Sequence, residues 1–213
     1  MKARLWPILL AGLLLISALS LPASAADVPF SDVADSAWYY ESVERVYEKN
    51  WMNGTGNDRF SPDDSLTRAM LAVILWRIEG SQDASRTVTF TDTSANAWYA
   101  DGLSWCAEKG LFAGYPNGSF GPDDAVTREQ LAIVFFRYAE KTGAVPSGQV
   151  GHATFKNGCP WAADACDWAN EHGLFTDAIG TLDLCAPASR AEIAYLLDQY
   201  FPSEASSSAL TEN

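Results

Sequence analysis

Phe60-Ser61-Pro62-Asp63-Asp64-Ser65-Leu66-Thr67-Arg68 runs directly into an apolar stretch, and sixty residues later the phrase returns as Phe120-Gly121-Pro122-Asp123-Asp124-Ala125-Val126-Thr127-Arg128. A worn third copy ends at Ser189-Arg190. Each copy reads as a loop entering a helix. Pro62 and Pro122 favour a turn, and the paired aspartates suit turns and the positive end of a helix dipole. Thr67, Thr127 and Ser189 are placed as N-caps. Gln130 and Glu192, three residues beyond two of these caps, complete capping boxes. The helices that follow carry one apolar stripe each: Leu71, Ile74, Leu75, Ile78, then Leu131, Val134, Phe135, Tyr138, then Ile193, Leu196, Leu197, Tyr200. The arginine after each cap falls in the first helical turn, where a cation opposes the dipole. An unfavourable charge at one repeated position suggests that it is wanted for an anion.

The repetition extends outward from this phrase. A shift of sixty aligns residues 30–78 with 90–138 without a gap, matching Phe30/Phe90, Asp32/Asp92, Trp38/Trp98, Tyr39/Tyr99, Gly54/Gly114 and Arg77/Arg137. The third unit keeps Phe155, Trp161, Trp168, Gly173, Ser189 and Arg190. In each unit a first helix precedes the loop. Ser36 and Asn96 are expected to cap it, and Asn50, Gly110 and Gly173 are expected to end it, being residues that tolerate the left-handed conformation. Two helices of this size cannot bury a core alone, so the units should pack together. The predicted fold is all-α: three helix-loop-helix repeats over residues 28–80, 88–140 and 152–201, packed as a pseudo-trimer. Polar connectors separate them, and residues 202–213 read as a disordered tail.

Lys2 and Arg4 precede an apolar run from Leu5 to Leu21, and Ala23-Ser24-Ala25 fits a cleavage site, so residues 1–25 read as a secretory signal peptide. No later stretch is long and apolar enough to span a bilayer. The formal charge is −13, and removing Lys2 and Arg4 makes it more acidic still. Such a chain is repelled by phosphate backbones, which argues against nucleic acid as a partner. The four cysteines, Cys106, Cys159, Cys166 and Cys185, suit two disulfides in an exported chain, with three connectivities open. Cys106 and Cys166 also align with Val46 and Val43 on an apolar helical face, so they equally read as buried thiols. Their spacing is not that of a zinc site, and neither a metal nor a cofactor is expected.

The order Phe-x-Asp, Trp-Tyr, a helix ending in Gly, then Gly…Phe-x-Pro-Asp-x-x-x-Thr-Arg resembles the S-layer homology (SLH) repeat. The resemblance implies a non-catalytic module that attaches an exported protein to secondary cell-wall polysaccharide, often through a pyruvylated sugar, in grooves between repeats. Arg68 and Arg128 match the Thr-Arg position, where the arginine is expected to meet the acidic sugar. Asp32 and Asp92 are placed to accept sugar hydroxyls, Trp38 and Trp98 to stack on a pyranose ring, and Gly54 and Gly114 to allow close backbone approach. Arg190 survives in the third unit, but Asn157 replaces the aspartate and Leu182-Asp183-Leu184-Cys185 replaces Phe-Gly-Pro-Asp. The bland readings are a surface ion pair for the arginines, a turn for the aspartates and core packing for the tryptophans. Two other classes compete. A wall glycosidase has carboxylates to draw on, but the repeats fill the chain and Gly-x-Ser-x-Gly is absent. A calcium-dependent assembly protein is suggested by the Asp-Asp loops, whose spacing is not that of an EF-hand. The partner is therefore expected to be wall polysaccharide or another surface protein, at the cell wall.

Overall fold

The computed structural model describes residues 28–85, 89–143, 153–176, 178 and 180–201. The signal peptide and tail read from the sequence lie outside them. The described residues form six α-helices: α1 (Tyr40–Glu48), α2 (Arg68–Ile78), α3 (Ala100–Glu108), α4 (Arg128–Thr142), α5 (Ala163–Glu171) and α6 (Arg190–Tyr200). A short 3₁₀ turn, Pro160–Ala162, leads into α5. Two-residue strands β1 (Phe155–Lys156) and β2 (Leu182–Asp183) pair in parallel, Phe155 with Leu182 and Lys156 with Asp183. None of the described helices is long and apolar enough to cross a membrane.

The three even-numbered helices start as their sequences dictate. Thr67 Oγ1 accepts from Met70 N, and Thr127 and Ser189 form full capping boxes with Gln130 and Glu192. The odd-numbered helices start later than expected. Ser36 and Asn96 cap nothing, because the segments they open are spent on tight turns in which Ala37 N bonds Ala34 O and Ala97 N bonds Ser94 O. The helices begin at Tyr40 and Ala100 instead, with no side-chain cap. Asn50, Gly110 and Gly173 do carry the positive φ of a left-handed stop, at 56°, 65° and 66°.

Helices from different units meet in pairs: α2 on α3, α4 on α5, and α1 on α6. The predicted apolar stripes face these contacts and the shared core, with Leu71, Leu75, Phe135, Ile193 and Leu197 completely buried. Between α1 and α6, buried Asp198 accepts from Ser42 Oγ and takes both Nε and Nη2 of Arg45. Between α4 and α5, Phe136 meets Trp168 edge-on. Between α2 and α3, Cys106 Sγ points at Ala72 O.

The loops before α2, α4 and α6 join the units in a cycle. Arg68 N and Ala69 N donate to Asp124 O and Pro122 O; Arg128 N and Glu129 N to Ala186 O and Leu184 O; Arg190 N and Ala191 N to Asp64 O and Pro62 O. Single antiparallel bridges follow the same order, Thr67 to Ala125, Thr127 to Pro187 and Ser189 to Ser65. Leu66, Val126 and Ala188 occupy equivalent places in these loops and are all fully buried.

The cysteines differ from the two-disulfide expectation. All four are free thiols, with Cys106 and Cys166 buried on the apolar helical faces that Val46 and Val43 fill in the first unit. Cys106 sits against α2, its Sγ on Ala72 O.

Gly102 in α3 is where the α2 contact is tightest, since a Cβ there would stand 2.9 Å from Val73 Cα. Helix propensity alone would make Gly102→Ala favourable by about 1 kcal/mol. Overpacking against backbone costs about 1–3 kcal/mol and should win. Denaturant titration of G102A is expected to show a net loss of stability.

Candidate functional site

The repeated arginines all cross to the next unit, but not as surface ion pairs. Arg68, only 5% exposed, donates Nε to Phe120 O and Nη2 to Ala113 O, both at 2.9 Å. Its guanidinium lies over the rings of Phe120, Tyr115 and Phe112 at 4.6, 4.9 and 5.4 Å. Arg190 repeats this against the first unit, with Nε on Phe60 O, Nη2 on Asn53 O, and the Phe60 ring 4.6 Å away. In both, Nη1 is left with no hydrogen bond among the described residues, and no carboxylate is in ion-pair contact. Burial pulls both pKa values below the usual arginine range, while Tyr115, Asp124 and Asp92 oppose it at Arg68 and Asp64 and Asp32 at Arg190. Both stay protonated.

Arg128 behaves differently. Its Nε and Nη2 form a two-pronged pair with the Glu192 carboxylate at 2.9 and 2.6 Å, and Nη1 bonds Asp183 O. Every nitrogen is used and the charge is neutralised. The position third in the neighbouring helix decides this. It is Glu192 beside Arg128, Gln130 beside Arg68 and Met70 beside Arg190, so only one arginine meets a carboxylate. Sequence reading took Glu192 for a cap alone; it caps and also pairs.

The expected anion site at the helix N-termini is closed in this geometry, because the first N–H groups of α2, α4 and α6 already donate to carbonyls of the next unit. The aspartates are likewise engaged. Asp32 accepts from Phe60 N and Ser61 N, and Asp92 from Phe120 N and Gly121 N, at 2.7–2.9 Å. Partial desolvation would raise these carboxyls, but the two backbone donors, helped by Arg59 or Arg68, hold both below the usual range. Arg68 of the first unit thus gathers with Asp92 and Asp124 of the second, and Arg190 of the third with Asp32 and Asp64 of the first. Arg68 and Asp32 belong to different groups.

Gly54 and Gly114 are needed by the chain itself. A Cβ at either would stand 2.6 or 2.5 Å from the ring of Phe30 or Phe90, and within 2.8 Å of a backbone carbonyl. The repeated tryptophans are different in kind. Trp98 and Trp161 are 64% and 60% exposed and Trp38 37%, a rare state for so large an apolar surface. Trp38 leans edge-on to Tyr195 of α6, in the third unit. The aspartates of the Asp-Asp loops serve structure: main-chain carbonyls of Asp64 and Asp124 receive helix N–H groups, and Tyr115 Oη donates to the Asp124 carboxylate.

Residues 29–70 and 89–132 match the S-layer homology domain family. These two stretches are S-layer homology domains. Among relatives, the chain is 33% identical over 146 residues to an endoglucanase of Bacillus sp. (strain KSM-635), covering 63% of this chain and 15% of that protein. It is 33% identical over 102 residues to a cellulosome-anchoring protein of Acetivibrio thermocellus, covering 46% and 23%. It is 30% identical over 181 residues to a cell surface protein of Thermoanaerobacter kivui, covering 82% and 21%. The chain therefore spans less than a quarter of these curated relatives, and the endoglucanase match is to a module that carries no activity across to this chain. With these relatives, the protein is a secreted protein of the cell wall or surface.

Within the SLH domains the Asp32 and Asp92 clips have a pH signature. A carboxyl depressed by folding adds stability that is present above its unfolded value, near 3.8, and is lost as pH falls through the lower folded value. Denaturant midpoints should fall on acidification below about pH 4. In an Asp32→Asn/Asp92→Asn variant the midpoint should be lower at neutral pH and its acid dependence flatter.

Proposed function

We propose that the protein is a non-catalytic wall-anchoring module that binds an acidic sugar of secondary cell-wall polysaccharide, a pyruvylated one fitting best, in grooves between units. The observation that carries this reading is the pair of buried guanidinium groups, Arg68 and Arg190, that make no direct ion pair among the described residues. Each is fixed by two neutral carbonyls and an aromatic face, and each keeps Nη1 for a ligand oxygen. A carboxylate on a sugar suits such a donor, since charge-assisted hydrogen bonds are about twice as strong as neutral ones. Trp38 and Trp98 supply apolar faces for a pyranose ring on the exterior of the same units. In this reading Asp32, Asp92, Gly54 and Gly114 shape the loops, and their contact with sugar is secondary.

The arrangement fits three copies of one repeat, residues 28–80, 88–140 and 152–201, closed as a pseudo-trimer. What supports it is the cyclic order of the hydrogen bonds and the three equivalent arginines, each reaching the following unit. The Arg68 and Arg190 grooves are the competent ones, and the Arg128 groove is shut by Glu192.

The test is co-sedimentation of the purified protein with bacterial wall sacculi before and after acid extraction of the secondary polymer. Binding should vanish with the polymer. Trp98→Ala, at an exposed site, should weaken it without loss of stability. Arg68→Gln, which keeps amide donors but removes the charge, should cost about 1.5–3 kcal/mol, tenfold or more in Kd. Glu192→Gln frees Arg128 and is expected to tighten binding. Binding that survives polymer extraction and is unchanged in both Trp98→Ala and Arg68→Gln would overturn the reading.

A further inference from the structure

The third unit lacks the carboxylate clip that fastens the other two. In the first and second units Asp32 and Asp92 tie the entry segment to the loop before the second helix by two backbone bonds each. Asn157 stands in their place, in a left-handed conformation, and gives a single exposed bond to the Asp183 carboxylate. The strands β1 and β2 join the same two segments here, but for only two residues each.

Two cysteines lie at the ends of these segments. Leu184 O receives the second N–H of α4, as Pro122 O and Pro62 O receive those of α2 and α6, so Cys185 occupies the position of Asp63 and Asp123. Counting on from Asn157, Cys159 occupies that of Ala34 and Ser94. Their sulfurs are 3.9 Å apart. Cys185 is exposed and Cys159 partly so, and Cys159 borders an open recess with Pro160 and Ala163 that gives a reagent access. The other two thiols are poor competitors. Cys106 is completely buried, and burial holds its thiol well above the usual range. Cys166 borders the same recess but is only 3% exposed, so burial rather than acidity sets it apart from Cys185.

We infer that Cys159 and Cys185 form a disulfide in the exported protein, a covalent fastening in place of the lost carboxylate clip, while Cys106 and Cys166 remain thiols. Closing from 3.9 Å to a bond of about 2.05 Å needs only small side-chain rotations at the exposed Cys185. The oxidant is a disulfide of low molecular weight or of a thiol–disulfide oxidoreductase, as an oxidising cell exterior provides. One cysteine thiolate attacks it, forming a mixed disulfide and expelling the first donor thiolate. The second cysteine thiolate then attacks the sulfur of the first and expels the other donor thiolate. The two cysteine protons end on the donor, which is reduced by two electrons.

The experiment uses the purified full chain equilibrated in an oxidising glutathione buffer, then alkylated in denaturant and digested without reduction. The expected result is a peptide pair cross-linked at Cys159 and Cys185, two alkylated residues, Cys106 and Cys166, and no retained glutathione. Reduction should lower the melting temperature of this protein by several degrees and leave a Cys159→Ser/Cys185→Ser variant unchanged. Four alkylated cysteines, a bond to Cys166, or a metal ion in native mass spectra held by the two thiolates and Glu129 would each overturn the inference. The buffer supplies the oxidant, so the outcome does not depend on glycan binding.

Discussion

An α-helix begins with N–H groups that have no partner within it, and in this protein each unit supplies the acceptors that its neighbour lacks. The hydroxyl caps take the third N–H of α2, α4 and α6, and the carbonyls of the next unit's loop take the first and second. No unit's second helix is finished alone. The cycle closes only because Asp64 O and Pro62 O of the first unit receive the third unit's helix, so the constraint is collective and must be met by all units together. A cation in the first turn is then intelligible. Its side chain leaves its own helix and goes to carbonyls, so the dipole it would oppose is not the field that it occupies.

This fastening also fixes the arginines of the proposed site. A free arginine loses rotamer entropy on binding an anion, about 2 kcal/mol for the whole side chain. Arg68 and Arg190 have already lost it to folding, held at two nitrogens and against aromatic rings. The cost of burying the charge is met by neutral acceptors, which do not cancel it. Two guanidinium groups thus stand fixed without a direct ion pair, each with two aspartates nearby, on a chain whose formal charge is −13.

Features that depend on nearest neighbours in the sequence were legible. The caps Thr67, Thr127 and Ser189, the apolar stripes and the left-handed stops at Asn50, Gly110 and Gly173 each rest on a few adjacent residues and are in place, whereas Ser36 and Asn96 do not cap α1 and α3. What could not be read was where long side chains end. Arg68 and Asp32 share a repeat in the sequence, yet they serve different groups, because the arginine crosses to the next unit while the aspartate turns back on its own loop. Gly54 and Gly114 signalled a close approach correctly, but the approaching group is a phenylalanine ring of the same unit. The strand pair of the third unit was invisible for a related reason: its two rungs replace a side-chain clip, and two residues are too few to show a period.

A repeat that recurs unchanged marks what assembly demands, so recognition has to be sought where the copies differ. The arginine is common to all three units, and its effective charge is set by a residue that is not. Glu192, Gln130 and Met70 stand at the same third position of the neighbouring helices, and only Glu192 gives its arginine an ion pair, while Arg68 and Arg190 bond neutral carbonyls. This position tolerates variation because the hydroxyl cap, which all three helices keep, already satisfies the local backbone; the side chain there completes the box in two units and is dispensable in the first. A single uncharged-to-acidic change can thus tie up one arginine without disturbing the ring of hydrogen bonds. One scaffold can carry ion-paired and unpaired arginines side by side while its fold stays the same.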